Sequence, residues 1–306
     1  MLRGSTERAI AAVELELTSK QVVGIDSPLP ALNEILKPLR PGQLVYLSGC
    51  PGSGKSSLAL QWAWHAAFNR HKNTLYFSLE MNHEELGERL LIAANQGASV
   101  ERALIAGKSL PADEAISPLR SAARAFKDLP LHIICPRGPL HPSDIALYGR
   151  MAKIRRGLDF IVLDYLYLLR PDKKTEGETE KMNELTVAMK TLATQLQVPV
   201  LCLHSLSREV ENKRPRIPTD SGLRGSQQLN YDANAIIILY RPGYYYQKDG
   251  NWKENELASK ELNHPFLVGD DETTMIKVDK QRRGPGGHCF ARFVPAQTWF
   301  DDGGKQ

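Results

Sequence analysis

The chain has 306 residues, 42% of them hydrophobic and 24% charged, so it can build a sizeable core and is not disordered throughout. No apolar run reaches the roughly 18 residues that a membrane helix needs, so no membrane partner is expected. A net charge of +4 and a pI of about 8.8 make the chain mildly basic, compatible with a nucleic-acid partner without requiring one.

In chain order, the first predicted element is a helix over Ser5–Gln21, with Ile10, Val13 and Leu17 on one face. Turn formers follow (Gly24, Asp26, Ser27, Pro28, Pro30), so residues 1–23 read as a separate linker-type helix and 24–306 as the main domain. The short apolar run Leu44–Leu47 predicts a buried strand, Ser57–Asn69 a helix and Thr74–Leu79 a strand. Helices are expected over Glu84–Asn95 and Pro111–Phe126, a strand over Leu131–Cys135 and a helix over Pro142–Arg156. A strongly apolar strand is expected over Asp159–Leu169. Leu185, Met189, Leu192 and Leu196 then stripe a helix over Glu180–Gln197. Further strands are expected over Val198–His204, Ala235–Tyr240 and Thr274–Asp279, with a last one near His288–Pro295. Strands alternating with helices predict an α/β fold, a mostly parallel twisted sheet flanked by helices. Two polar stretches, Arg170–Glu180 and Ser207–Gln228, are long for connections inside a domain and read as functional loops.

The four cysteines (Cys50, Cys135, Cys202, Cys289) form no CxxC pair, which argues against a disulfide framework or a zinc site. That usage suits a reducing cytosol, and no apolar stretch follows the charged N-terminus as in a secretory leader. A cytoplasmic protein is expected.

Gly49-Cys50-Pro51-Gly52-Ser53-Gly54-Lys55-Ser56 fits the phosphate-loop pattern GxxxxGK[ST], with a strand before it and a helix after it. Glycines let the backbone turn its N–H groups toward a phosphate, and the helix N-terminus adds positive potential. Gly49, Gly52, Ser53, Gly54, Lys55, Ser56 and Ser57 are the candidate nucleotide contacts. Lys55 would reach the β- and γ-phosphates and Ser56 would ligate Mg²⁺. Asp164, closing the strand Phe160–Leu163, is the second candidate for the metal. Glu80 closes another strand and would face the same crevice, placed to activate water; the plain alternative is that it only opens a helix. His204 and Ser205 end a third strand, where either could sense the γ-phosphate or simply form a turn.

Four further segments appear in order: Ser78-Leu79-Glu80-Met81, Leu163-Asp164-Tyr165-Leu166, Leu223-Arg224-Gly225-Ser226 and Lys280-Gln281-Arg282-Arg283-Gly284-Pro285. Together with the phosphate loop they resemble the C-terminal motor domain of DnaB-type replicative helicases, and that of phage primase-helicases, from about Gly24 to about Asp302. The resemblance implies a RecA-like P-loop NTPase core that forms a homo-hexameric ring, with ATP between neighbours and single-stranded DNA in the channel. It implies that Lys280 and Arg282 reach the γ-phosphate of the adjacent subunit. It also implies that Arg224, Gly225 and Ser226 grip the DNA backbone, with Lys213, Arg214 and Arg216 adding charge, as Lys173 and Lys174 do in the other loop. ATP and Mg²⁺ are the implied ligands; a loader, a primase or a host replicative helicase are further candidate partners.

The chain also departs from that family. His204-Ser205-Leu206-Ser207-Arg208 stands where Ser-Gln-Leu-Asn-Arg is frequent, so Ser205 replaces the sensor glutamine. Tyr167 replaces another glutamine, and Gly225 an acid. Only about 20 residues precede the motor, where the family usually has a collar domain. These departures leave a second reading open, that of a helicase-like adaptor, a loader or inhibitor that joins a host helicase ring.

Overall fold

Along β1 (Leu44–Gly49), Leu44 and Tyr46 enter one hydrophobic cluster while Val45 and Leu47 enter another. Successive side chains of a strand point to opposite faces, so a run apolar at every position needs cover on both sides. That requirement organises the whole domain. The structure, a computed structural model, describes residues 24–94, 120, 123–124, 126–206, 217–218, 227–244, 253–263 and 272–301.

The described strands are β1, β2 (Thr74–Ser78), β3 (Leu131–Ile134), β4 (Phe160–Asp164), β5 (Val200–Ser205), β6 (Ala235–Tyr240), β7 (Thr273–Gln281), β8 (Gly287–Val294) and β9 (Trp299–Asp301). They form one sheet in the order β3-β2-β4-β5-β1-β6-β7-β8-β9. From β3 to β6 the pairing is parallel, and from β6 to β9 it is antiparallel. The helices are α1 (Pro30–Ile35), α2 (Lys55–Trp64), α3 (His83–Ala94), α4 (Pro142–Arg156), α5 (Glu178–Leu196), α6 (Gln227–Asp232) and α7 (Lys253–Leu262). Among the described residues, no helix is long and apolar enough to cross a membrane.

On one face α5 buries Met182, Leu185, Met189, Leu192 and Leu196 in a cluster with Tyr46, Ile161 and Leu163. On the other, α2 buries Leu58 and Trp62 in a cluster with Val45, Tyr76 and Val162. Helix α4 is bounded by local chemistry: Pro142 opens it, the Asp144 carboxylate accepts the His141 N–H at 2.9 Å, and Lys153, Arg155 and Arg156 sit at its negative end.

The α/β reading holds, and several boundaries move. The strand expected over Asp159–Leu169 stops at Asp164, and Leu166–Leu168 forms a 3₁₀ turn. Leu166 and Leu169 are fully buried there, so the apolar run continues although the extended backbone does not. The helix expected to Asn69 is α-helical only to Trp64 and finishes as a π turn over His65–Asn69. A short helix, α1, occupies part of the region rich in turn formers, and β9 adds an edge that the sequence reading lacked. The expected Ser5–Gln21 helix, most of the Pro111–Phe126 helix and most of the Ser207–Gln228 loop lie outside the described residues.

Candidate active site

The phosphate loop leaves the C-terminal end of β1, where a parallel sheet opens its ligand crevice. Gly52 and Gly54 have φ of +80° and +92°, in the left-handed region that favours glycine. A Cβ on Gly52 would stand 2.2 Å from the Tyr244 ring, and one on Gly54 2.7 Å from the Phe300 ring. Both conformation and space therefore hold these positions to glycine. Gly54 is the N-cap of α2, so the first N–H groups of that helix face the loop. Lys55 Nζ donates to the carbonyls of Gly49 (2.8 Å) and Cys50 (3.0 Å) and so stands across the loop. Ser53 Oγ is buried without a hydrogen-bond partner among the described residues.

A cleft of about 500 Å³ extends from this loop along the neighbouring strand ends. Its walls bring together Lys55, Ser56, Ser57, Glu80, Asp164 and Ser205 from separate parts of the chain. Asp164 is 1% exposed; its carboxylate accepts the Tyr76 hydroxyl at 3.0 Å and a hydrogen bond from Ser56. Burial raises its pKa above the usual carboxylate range, and nearby Glu80 adds to that. The hydrogen bonds from Ser56 and Tyr76 and the charge of Lys55 pull the other way. Glu80 is exposed at the rim, just past β2. Asn82 and Glu85 fix the chain behind it, each side chain accepting the other's backbone N–H at 2.8 and 2.9 Å.

Of the two sensor candidates only Ser205 lines the cleft. His204 is 1% exposed and meets the Tyr46 ring edge-on, 6.2 Å between centroids. The alternation of β5 explains the split. A wider groove of about 610 Å³ between α4 and α5 is lined by Ser143, Asp172, Glu184 and Val187, and the phosphate loop does not open into it.

Arg241, Phe293, Arg89 and Thr298 also line the cleft and were not foreseen. Arg241 is 5% exposed, lies over the Phe293 ring at 4.3 Å, and directs Nη1 toward the Gly52 carbonyl at 3.4 Å. A guanidinium stacked on an aromatic ring offers a flat, cationic surface to a planar base. One signal was available: Arg241 directly follows the apolar strand Ala235–Tyr240, and parallel strand ends line the crevice.

A model of the DnaB-like helicase C-terminal domain matches residues 24–302 of this chain. The chain belongs to that family. The replicative DNA helicase DnaB of Leifsonia xyli subsp. xyli is 31% identical over 266 residues, 85% of this chain and 57% of that protein. The replicative DNA helicase DnaB of Geobacillus stearothermophilus is 30% identical over 289 residues, 92% of this chain and 59% of that protein. A solved structure of a DnaB-like replicative helicase, described with its interactions with primase, superposes with a TM-score of 0.80 at 25% identity. That match covers 96% of this chain and 66% of the other. A solved helicase-type ATPase domain superposes with a TM-score of 0.82, also at 25% identity, covering 98% of this chain and 99% of its own. The chain thus spans less than two thirds of the length of the DnaB relatives it matches. Its α/β core is the RecA-like core of these structural neighbours.

In this DnaB-like domain, Lys280 and Arg282 do not line the cleft. They lie at the end of β7, where Lys280 pairs with Ile236 and Gln281 with Ala235 at the start of β6. Gly49 pairs with Leu239 at the other end of β6. Lys280 Nζ and Arg282 Nη2 donate to the carbonyls of Asn230 and Tyr231 at the end of α6. The DNA-binding candidates Lys213, Arg214, Arg216, Arg224, Gly225 and Ser226 lie outside the described residues.

Among the described residues no three His, Cys, Asp or Glu side chains gather as a metal cage. That agrees with Mg²⁺ rather than opposing it, since Mg²⁺ keeps its waters and binds through one or two carboxylates plus substrate phosphates. The hard oxygens of Ser56 and Asp164, hydrogen-bonded to each other beside the phosphate loop, fit that demand.

Proposed function

We propose that this chain is the ATP-hydrolysing motor of a bacterial replicative DNA helicase, working in the cytoplasm as a hexameric ring around single-stranded DNA. The observation that carries this reading is the division of the catalytic set. Lys55, Ser56, Glu80 and Asp164 share one cleft, while Lys280 and Arg282 stand at the far end of the sheet, where only a second subunit's nucleotide could meet them.

In this reading the loop N–H groups and Lys55 hold the ATP phosphates, and the base lies against Arg241 and Phe293. Ser56 and Asp164 hold Mg²⁺, which when bound draws negative charge from the β- and γ-phosphate oxygens. Glu80 orients the attacking water and takes its proton, and Ser205 contacts the γ-phosphate. Lys280 and Arg282 of the adjacent subunit stabilise the charge that spreads over the transferred phosphoryl group, which ties hydrolysis to assembly. Arg224, Gly225 and Ser226 grip the DNA backbone, with Lys213, Arg214 and Arg216 supplying charge. No aromatic residue interrupts this stretch, so backbone contact prevails over base stacking and sequence preference is weak.

The test is mass photometry of the purified protein with and without a non-hydrolysable ATP analogue, Mg²⁺ and a single-stranded oligonucleotide, alongside ATPase assays at rising protein concentration. A six-fold particle that sharpens with nucleotide and DNA, and activity that climbs faster than concentration, are expected. A persistent monomer with DNA-independent turnover would overturn the ring motor and turn attention to the adaptor reading.

A further inference from the structure

Asn234 connects three elements around Arg282. Its Oδ1 accepts the Leu44 N–H at 3.0 Å and Lys190 Nζ at 2.6 Å. Its backbone N–H donates to the Leu44 carbonyl at 2.8 Å, and its own carbonyl accepts the Arg282 N–H at 2.9 Å. One residue therefore ties the start of β1 and helix α5 to the backbone of the residue that would act in trans. The next residue back is also held, because Gln281 Nε2 donates to the Ile35 carbonyl at 2.7 Å.

The side chains are held differently from the backbone. Lys280 and Arg282 donate to the carbonyls of Asn230 and Tyr231, in the last turn of α6. Neutral carbonyls are modest partners for a cation, and a phosphate carries far more charge. With the backbone pinned, the pair can exchange one acceptor for a stronger one without refolding.

Lys190 is the unusual member of this group. Its half-buried ammonium sits close enough to Arg282 for the two cations to repel. Burial and Arg282 both disfavour its charge, and Asp232 only partly compensates. A purely structural pin needs no second cation there. An anion arriving from outside the subunit would be attracted by both.

We propose that Asn234 and Lys190 are positioning residues for the trans-acting pair, fixing the Arg282 backbone so that its guanidinium and Lys280 meet the γ-phosphate held by the neighbouring subunit. This rests on the reading that the pair acts across a subunit interface. Leu44 and Lys190 both donate to Asn234 Oδ1, so Asn234→Asp preserves the acceptor and Asn234→Leu removes it at similar size.

The experiment measures steady-state ATPase of each variant alone and in mixed rings. Asn234→Leu should lose about 10²-fold in kcat, as expected for a group displaced by about 1 Å, with KM for ATP unchanged. Asn234→Asp should turn over near the wild-type rate. Mixing Asn234→Leu with Lys55→Ala subunits should restore activity, since the latter donate an intact Arg282 to a sound cleft. Mixing it with Arg282→Ala subunits should not. Lys190→Met is the second variant, judged by the same mixing should Asn234→Leu fail to assemble. The control mixture of Arg282→Ala with Lys55→Ala separates the two readings. If that control fails to regain activity, the trans reading itself is wrong. If it succeeds, three results each overturn the positioning role: wild-type turnover in Asn234→Leu, a defect that Lys55→Ala subunits cannot restore, or recovery with Arg282→Ala.

Discussion

Gly49 and Lys280 occupy opposite ends of the same strand: Gly49 pairs with Leu239 late in β6, and Lys280 with Ile236 early in it. At about 3.3 Å per residue the two are offset by about 10 Å along the sheet, and Arg282 lies farther still. The nucleotide crevice opens beyond Gly49, away from Lys280. Arg282→Ala should therefore leave nucleotide affinity nearly intact while slowing hydrolysis by roughly 10³-fold, the effect of losing an arginine finger. Fluorescent-nucleotide titration and ATPase assay measure the two quantities; an equal loss of both would place Arg282 in its own subunit's cleft instead.

Lys55→Ala should reduce ATP turnover to background. Its ammonium spans the loop between the Gly49 and Cys50 carbonyls and is the main positive charge available to the phosphates there. The fold should survive, because these two hydrogen bonds stay within the loop and brace no strand or helix of the core. Circular dichroism and a steady-state phosphate-release assay check both halves of this expectation.

Much of this was legible in the sequence, and the illegible parts share a cause. The phosphate loop reads directly because only glycine tolerates the geometry at Gly52 and Gly54. Asp164 and Glu80 read well because a parallel sheet makes strand ends into a crevice rim. Apolarity misled at Leu166 and Leu169, because it reports burial and not extended backbone. Period-two alternation could have favoured Ser205 over His204 at the cleft wall, had the strand's register been known. The contact between Arg241 and Gly52 spans 189 positions, and that between Lys190 and Asn234 spans 44. Such pairs arise only when the sheet order is set, so no local pattern announces them.

Arg224→Ala should weaken single-strand binding similarly for every sequence and reduce the salt slope by about 1, since a backbone clamp neutralises phosphate without reading bases. Fluorescence anisotropy with homopolymeric oligonucleotides across a salt series is the measurement. A loss confined to one base composition would contradict the clamp.

The last prediction concerns stability and its dependence on pH. Asp26, 7% exposed, lies where the chain enters the domain, with His65 Nε2 3.3 Å from Oδ1 and Arg70 Nε 3.0 Å from the same oxygen. Both partners belong to the end of the phosphate-loop helix, so this cluster ties the domain's entry to α2 and its π turn. Burial alone would raise the Asp26 pKa; the His65 and Arg70 side chains outweigh it and hold the carboxyl well below its ordinary value of 3.8. A carboxyl with a depressed folded-state pKa stabilises the fold above its unfolded pKa, and the contribution fades as pH falls through the folded one. Asp26→Asn should thus destabilise the protein at neutral pH by about 1 kcal/mol, a charged hydrogen bond discounted because Arg70 is half exposed. The gap between variant and parent should close only in strong acid, below pH 3.8. Urea titrations at neutral and acidic pH test this; a difference that stayed constant across that range would mean that packing, not charge, makes Asp26 matter.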